Sequence, residues 1–299
     1  MRITKTAGAA VAFALAATTF GLLNPTAATQ HVTNAAAVKQ HGMGLNLEAL
    51  RKAKAAGLTV EAADATGLQA PLPRAGAAPA SFDLSSYALS PGDQGQVGSC
   101  VAWATGYTGY GVLMKEQGIT GAPMAPMFTY AQIAKGNDQG TDASVALPMQ
   151  QSQGIDTKAH YWQGDFDYTT QPDASEKANA AKYKLSGYKS LATSGTAAKT
   201  AIMDAISQGM PVPIGFTVHQ SFMNLNATTA GNYTYLPKAG ESVVGGHEVT
   251  IVAYNEKGVK IENSWGSSWG AGGYFTVPWS FFNTGDVDEI HAMGKLIAS

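Results

Sequence analysis

The sequence predicts an α+β fold built as two packed halves. Helix-type patterning dominates up to about Gln208, and strand-type runs follow from Val212 onward. A compositional break near Ser81 sets where this domain begins. Between Gln30 and Ala80 there is no Trp, Tyr or Phe, so that stretch has little to offer a core, whereas aromatics are frequent beyond it. The chain has 299 residues, 45% of them hydrophobic, with a formal net charge of −2. That composition is ordinary for a globular protein and gives no basic surface for nucleic acid.

Taken in order, the chain opens with Arg2 and Lys5, an uncharged run from Ala9 to Leu23, and the small-residue stretch Pro25-Thr26-Ala27-Ala28. These are the three regions of a secretory signal peptide ending after Ala28. A membrane anchor is the weaker reading, because the alanine-rich run is shorter than the roughly 20 residues a span needs. Residues 29–80 read as a pro-segment and linker. Their one helix has Asn46 as its cap, Leu47, Leu50 and Ala53 on one face, and Gly57 as its stop. Pro71 to Pro79 reads as an extended linker, with a maturation cut expected between Arg74 and Ser81. The leader is basic and the rest of the chain acidic, which suits an intramolecular partner.

Residues 81–299 read as the main domain. Helices are predicted from about Cys100 to Glu116, Met127 to Lys135, Asp142 to Ser152 despite Pro148, and Thr196 to Gln208. Strands are predicted at Val212 to Val218, His247 to Tyr254, Val259 to Glu262 and Gly273 to Val277. Pro213 argues against a central place for the first of these.

Cys100 is the only cysteine, so no internal disulfide can form despite the export signal. It follows a loop rich in Gly and Gln and opens a predicted helix, where unpaired N–H groups and the helix dipole favour a thiolate. A cysteine nucleophile needs a base, a group that orients the base, and oxyanion donors. Among the histidines His31, His41, His160, His219, His247 and His291, His247 is preferred to His219. It enters a strand behind Gly245-Gly246 and precedes Glu262-Asn263-Ser264-Trp265-Gly266-Ser267-Ser268-Trp269-Gly270. No H-E-x-x-H or clustered Cys/His pattern suggests zinc, and no cofactor is expected.

Gln94-Gly95-Gln96-Val97-Gly98-Ser99-Cys100, Gly246-His247-Glu248-Val249 and the Asn263 segment through Tyr274 together resemble the papain-like cysteine peptidases, of a bacterial secreted type. The resemblance implies a two-subdomain fold. A mainly helical half would carry the nucleophile helix, a β-rich half His247 and Asn263, with the active site in the cleft between. It implies Cys100 as nucleophile, His247 as base and acid, Asn263 orienting His247, Gln94 rather than Gln96 in the oxyanion hole, and Trp265 as a shield. Gly140, Thr141 and Gly246 would bind substrate. Thr141 departs from the usual Gly-Gly wall, and the leader lacks the long helical signature of cathepsin-type leaders. The implied activity is hydrolysis of peptide bonds through a thioester acyl-enzyme, by a monomeric secreted enzyme acting on proteins or peptides. Its own pro-segment would be an inhibitor, with no stable membrane association after signal removal. A transpeptidase or amidase using the same machinery, or a non-catalytic binding protein on this fold, are the alternatives. Side by side, the thiol and imidazole should form a thiolate–imidazolium pair, with the Cys pKa lowered and the His pKa raised.

Overall fold

A computed structural model describes residues 41–58 and 67–298. The expected signal peptide lies outside the described residues. The helical half is built on a long helix, α2 (100–116), which runs α-helical over Cys100–Ala102, π-helical over Trp103–Gly109, and α-helical again over Tyr110–Glu116. The sequence pattern predicted this helix but not its π stretch. There the Thr105 hydroxyl donates to the Val101 carbonyl at 2.8 Å and accepts from Gln150 at 2.6 Å, fixing the widened turn from two sides. Against α2 pack α3 (Pro126–Ala134) and α4 (Ala143–Gln153). Their shared core holds Val101, Tyr110, Leu113, Met127, Phe128 and Leu147. Pro148 lies in the second turn of α4 and does not end it.

The β half is a seven-stranded sheet. Its strands are β1 (Phe82–Asp83), β3 (Tyr188–Ser190), β4 (Val212–His219), β5 (Val243–Tyr254), β6 (Gly258–Glu262), β7 (Tyr274–Pro278) and β8 (Val287–Met293). The order is β3-β8-β4-β5-β6-β7, with β1 pairing the far end of β5. β2 (Tyr183–Leu185) and β9 (Leu296–Ala298) form a separate antiparallel pair. β4 is central, contrary to the reading of Pro213. β5 pairs with β4 from Val212 onward, whereas the β8 pairing starts at Ile214 and resumes with the Met293 N–H donating to the Pro211 carbonyl at 3.1 Å, so Pro213 falls in a gap of the β8 ladder. Helix α6 (Gly195–Ser207), preceded by the short α5 (Ala174–Ala180), lays Ala198, Ile202, Ala205 and Ile206 on the sheet. Phe216, Phe222, Phe275, Phe281 and Trp265 complete this second core. The segment Pro71 to Pro79, read as an extended linker, is laid along the domain: Leu72 N–H donates to the Gln208 carbonyl at 2.9 Å, and the Tyr254 hydroxyl donates to the Pro79 carbonyl at 2.9 Å.

Helix α1 (Leu47–Ala55) forms as its cap predicted. The Asn46 side chain accepts from the Ala49 N–H at 3.0 Å, and Gly57 ends the turn at φ +65°. Although the leader has no aromatics, it is not excluded from the core. Leu45 and Leu50 are buried in the helical-half cluster.

Candidate active site

The start of α2 puts Cys100 at the junction of the two halves, and β5 brings His247 and Glu248 up to it. The Glu248 backbone N–H donates to Cys100 Sγ at 3.4 Å. Asn263 follows β6, the strand paired with β5, and its Oδ1 meets His247 Nε2 at 2.7 Å. Trp265 stacks on the imidazole with centroids 4.6 Å apart and 22° between planes. His247, Asn263 and Trp265 are each at most 1% exposed, so water cannot compete for the imidazole–carboxamide bond. Gln94 is fully buried. Its backbone N–H donates to the Ser264 carbonyl at 2.9 Å, its side-chain carbonyl accepts from the Ser264 hydroxyl at 2.6 Å, and its Nε2 donates to the Val97 carbonyl at 2.9 Å. One amide hydrogen thus remains on Nε2. The rival His219 lies elsewhere, with Nε2 3.0 Å from Asp286.

A leader segment, residues 41–46, runs directly over these groups, and it is the main feature that sequence reasoning missed. The Gly44 N–H donates to Cys100 Sγ at 3.1 Å. On either side the segment is held as an added strand. The Thr141 N–H donates to the Gly44 carbonyl at 2.8 Å, the Asn46 N–H to the Thr141 carbonyl at 2.9 Å, and the Leu45 N–H to the Gly246 carbonyl at 3.2 Å. Leu45 and Thr141 pair in parallel. Further along, the Gly42 N–H donates to the Gly95 carbonyl at 2.8 Å, and Trp265 Nε1–H donates to the Gly42 carbonyl at 3.1 Å. His41 stacks on Trp265 at 4.6 Å, so this indole is in ring contact with two imidazoles. Gly140, Thr141 and Gly246, singled out for substrate, therefore line the path of the leader. A Cβ on Gly140 would lie 2.2 Å from the Gly44 carbonyl oxygen. The sequence signal for this path was Gly42-Met43-Gly44 immediately before the capped helix, two positions where backbone can approach backbone.

Burial of the site shifts its protonation. Burial pushes the Cys100 thiol up to about 11, against the opposing pull of the Glu248 and Gly44 N–H groups. Burial likewise pushes His247 down to about 4, only partly countered by Asn263, with nearby His41 lowering it further. Both shifts run opposite to those of the expected thiolate–imidazolium pair and favour the neutral thiol and neutral imidazole in this leader-covered state. The physical reason is burial of both groups, in a site over which residues 41–46 also run. Among the described residues no group of three or more His, Cys, Asp or Glu could hold a metal ion.

A profile described as papain family cysteine protease matches residues 78–289. The chain belongs to the papain family of cysteine proteases. An uncharacterised peptidase C1-like protein, L477, of Acanthamoeba polyphaga mimivirus is 30% identical over 206 residues, covering 65% of this chain and 66% of that protein. A cathepsin B-like protein of Giardia intestinalis, CP3, is 39% identical over 82 residues, 26% of this chain and 25% of its own length. The alignments thus span just under two thirds of the viral relative and about a quarter of the Giardia protein. Among solved structures, xylellain, a cysteine protease from Xylella fastidiosa, superposes with a TM-score of 0.64 at 21% identity, covering 79% of this chain and 99% of that one. Procathepsin L 3 from the Tenebrio molitor larval midgut superposes with a TM-score of 0.56 at 20% identity, covering 78% of this chain and 76% of that one. These likenesses establish the papain-like two-subdomain fold.

Proposed function

We propose that the protein is a secreted cysteine peptidase held inactive by its own leader. Cys100 Sγ attacks the scissile carbonyl, giving a tetrahedral adduct and then a thioester. His247 gives its proton to the leaving amine, then takes one from water as deacylation frees the acid. Asn263 fixes the imidazole through Nε2, which leaves Nδ1 for the thiol. The uncommitted hydrogen of Gln94 Nε2 serves the oxyanion, a donor typically worth about 3 kcal/mol in the barrier. The observation that carries the reading is a buried His247–Asn263 pair whose histidine directly precedes Glu248, the residue whose backbone N–H reaches the lone Cys100 sulfur, in a papain-family chain.

The leader reading rests on what is presented to the sulfur. It is the N–H of Gly44, a donor. A segment bound this way occupies the cleft. Its helix is tied down by Arg51, whose Nε is 2.8 Å from Asp288 Oδ1 and whose Nη2 donates to Thr217 Oγ1 at 2.7 Å. Maturation then requires the leader to leave, through a cut expected between Arg74 and Ser81. Export rests on the N-terminal segment of the sequence; among the described residues no helix is long and apolar enough to cross a membrane.

Two substitutions test the role assignments. Asn263→Ala is expected to leave the chain folded and to lower kcat by roughly tenfold to a hundredfold, with KM little changed, because the imidazole loses its orienting partner. His219→Ala is expected to leave kcat/KM within about twofold, because its partner is Asp286 and not the thiol. Steady-state kinetics on a fluorogenic peptide, normalised by thiol titration, read both. A larger loss in His219→Ala than in His247→Ala would reverse the choice of base.

A further inference from the structure

Two strips of backbone meet beside Cys100. One is the loop that carries Gln94 and runs through Gly98 into the nucleophile helix. The other is the turn after α3 that carries Gly140 and Thr141. Gly44 of the leader touches both: its carbonyl accepts from the Thr141 N–H at 2.8 Å, and a Cβ on it would lie 1.9 Å from the Gly98 carbonyl oxygen. A chain of hydrogen bonds joins the two strips. The Gly98 N–H donates to both carboxyl oxygens of Asp138, at 3.0 and 3.1 Å. The Tyr130 hydroxyl donates to Asp138 Oδ1 and accepts from the Gly140 N–H at 3.0 Å. Gln94 is tied to the same loop, its Nε2 donating to the Val97 carbonyl at 2.9 Å.

The residue types explain the form of this link. With one cysteine in the chain no disulfide can join the strips, so the tie between them is non-covalent. A carboxyl group offers two acceptor oxygens, enough for a backbone N–H and a phenol at once. Glycine at 98 lets the carboxyl group approach: a Cβ there would lie 2.8 Å from Asp138 Oδ1 and 3.3 Å from the Tyr130 hydroxyl oxygen. Tyr130 is fully buried in α3, which fixes the place of its hydroxyl. Burial, and then the bond to Asp138, raise its pKa above the ordinary phenol value and keep the proton on the oxygen as the link requires. Asp138 is exposed, so it contributes these bonds and not core packing.

We propose that Asp138, acting through Tyr130, is a positioning residue for the peptidase reaction: it holds the Gly140–Thr141 wall at a fixed offset from the loop that carries the oxyanion donor and the nucleophile. This deepens the peptidase reading and rests on it. Neither side chain needs to touch the reacting atoms. Attack requires the scissile carbonyl carbon about 3–3.5 Å from Sγ while its oxygen meets the oxyanion donors, and a misplacement of about 1 Å can cost roughly a hundredfold. The wall sets where the substrate backbone lies, and the loop sets where sulfur and donor lie. A carboxyl group bonded toward both sets their separation.

The test uses the full chain as wild type, Asp138→Ala, Tyr130→Phe and the double variant, and compares two reagents on each. Iodoacetamide alkylates the thiolate without using wall or oxyanion hole, and its rate is followed by intact mass. A peptidyl aldehyde uses both. Sγ bonds to the aldehyde carbon and the thiol proton ends on the aldehyde oxygen, giving a reversible hemithioacetal whose dissociation constant is read from protection of Cys100 against iodoacetamide. Leader occupancy weakens both reactions by the same factor, so their ratio reports the link alone. We expect aldehyde affinity, relative to alkylation rate, to fall about tenfold or more in Asp138→Ala and in Tyr130→Phe. The double variant should lie within about twofold of the worse single variant, since one link can be broken only once. On a fluorogenic peptide kcat should fall in step, with KM changing less. An unchanged ratio in either single variant, or losses that multiply in the double variant, would overturn the proposal. Tyr130→Phe removes one oxygen from a buried ring, so it carries the test if Asp138→Ala folds poorly. Chains that show these losses with the aldehyde yet cleave no peptide amide even as wild type would support the link and contradict the hydrolytic reading.

Discussion

Cys100→Ser is expected to reduce peptidase activity by roughly four to six orders of magnitude, the scale seen when a nucleophile is removed from a catalytic unit. Fold and leader docking should survive. The Cys100 side chain is buried, and its two hydrogen bonds are accepted from the Gly44 and Glu248 backbone N–H groups, which a serine oxygen can also accept. The loss follows from nucleophilicity. A serine hydroxyl is far less acidic than a thiol, and its neutral oxygen is a far weaker nucleophile than a thiolate. Thermal unfolding of the variant within a few degrees of wild type, together with no measurable turnover, is the expected pairing. Activity close to wild type would remove Cys100 from the mechanism.

The second large effect is expected from Gly44→Val, far from any reacting bond. A Cβ at residue 44 would lie 1.9 Å from the Gly98 carbonyl oxygen, which is backbone at the root of the nucleophile helix and cannot move aside. The leader strand must then leave its seat over the sulfur. In the covered chain the thiol is held near 11, so its alkylation rate should climb with pH through about that value. The sign follows from the reactive species. The thiolate attacks, and raising the thiol pKa to about 11 leaves only about one part in a thousand ionised at pH 8. Uncovering returns water to Cys100 and His247, so the thiolate–imidazolium pair can form and the inflection should move well below 9. At pH 8 the variant should alkylate at least roughly a hundredfold faster than wild type. Unchanged rate and unchanged inflection would show that residues 41–46 do not seal the site.

The α+β fold was legible because its signals are local. The change of period near Val212, the capping Asn46 and the stop at Gly57 each depend on a few neighbouring residues, and those elements form as read. What was misread depends on partners distant in sequence. Pro213 counts against a central strand only if the ladder needs its N–H, and the β8 pairing begins one residue later. The strand β8 itself, Val287–Met293, carries Asp288, Glu289 and His291, so it reads as polar; its burial comes from its place between β3 and β4, with Arg51 of α1 reaching Asp288. Cys100, His247 and Asn263 could be picked out because each sits in its own short motif. The cover over them could not. Nothing in His41-Gly42-Met43-Gly44 names its partners Gly95, Cys100 and Trp265, and burial in the covered site favours a neutral thiol and imidazole where a charged pair was expected.

The central claim is that Cys100 becomes acylated by peptide substrates once the leader is gone. The most direct measurement is intact-mass analysis of Gly44→Val chain mixed with a peptide ester and quenched in acid on the millisecond scale, with peptide mapping of the adduct. A casein digest of the same chain, before and after alkylation of its single thiol, is run alongside. The expected result is one acyl group, mapped to Cys100, appearing before product, and a digest that stops once Cys100 is alkylated. Continued digestion by a chain whose Cys100 is fully alkylated would contradict the account.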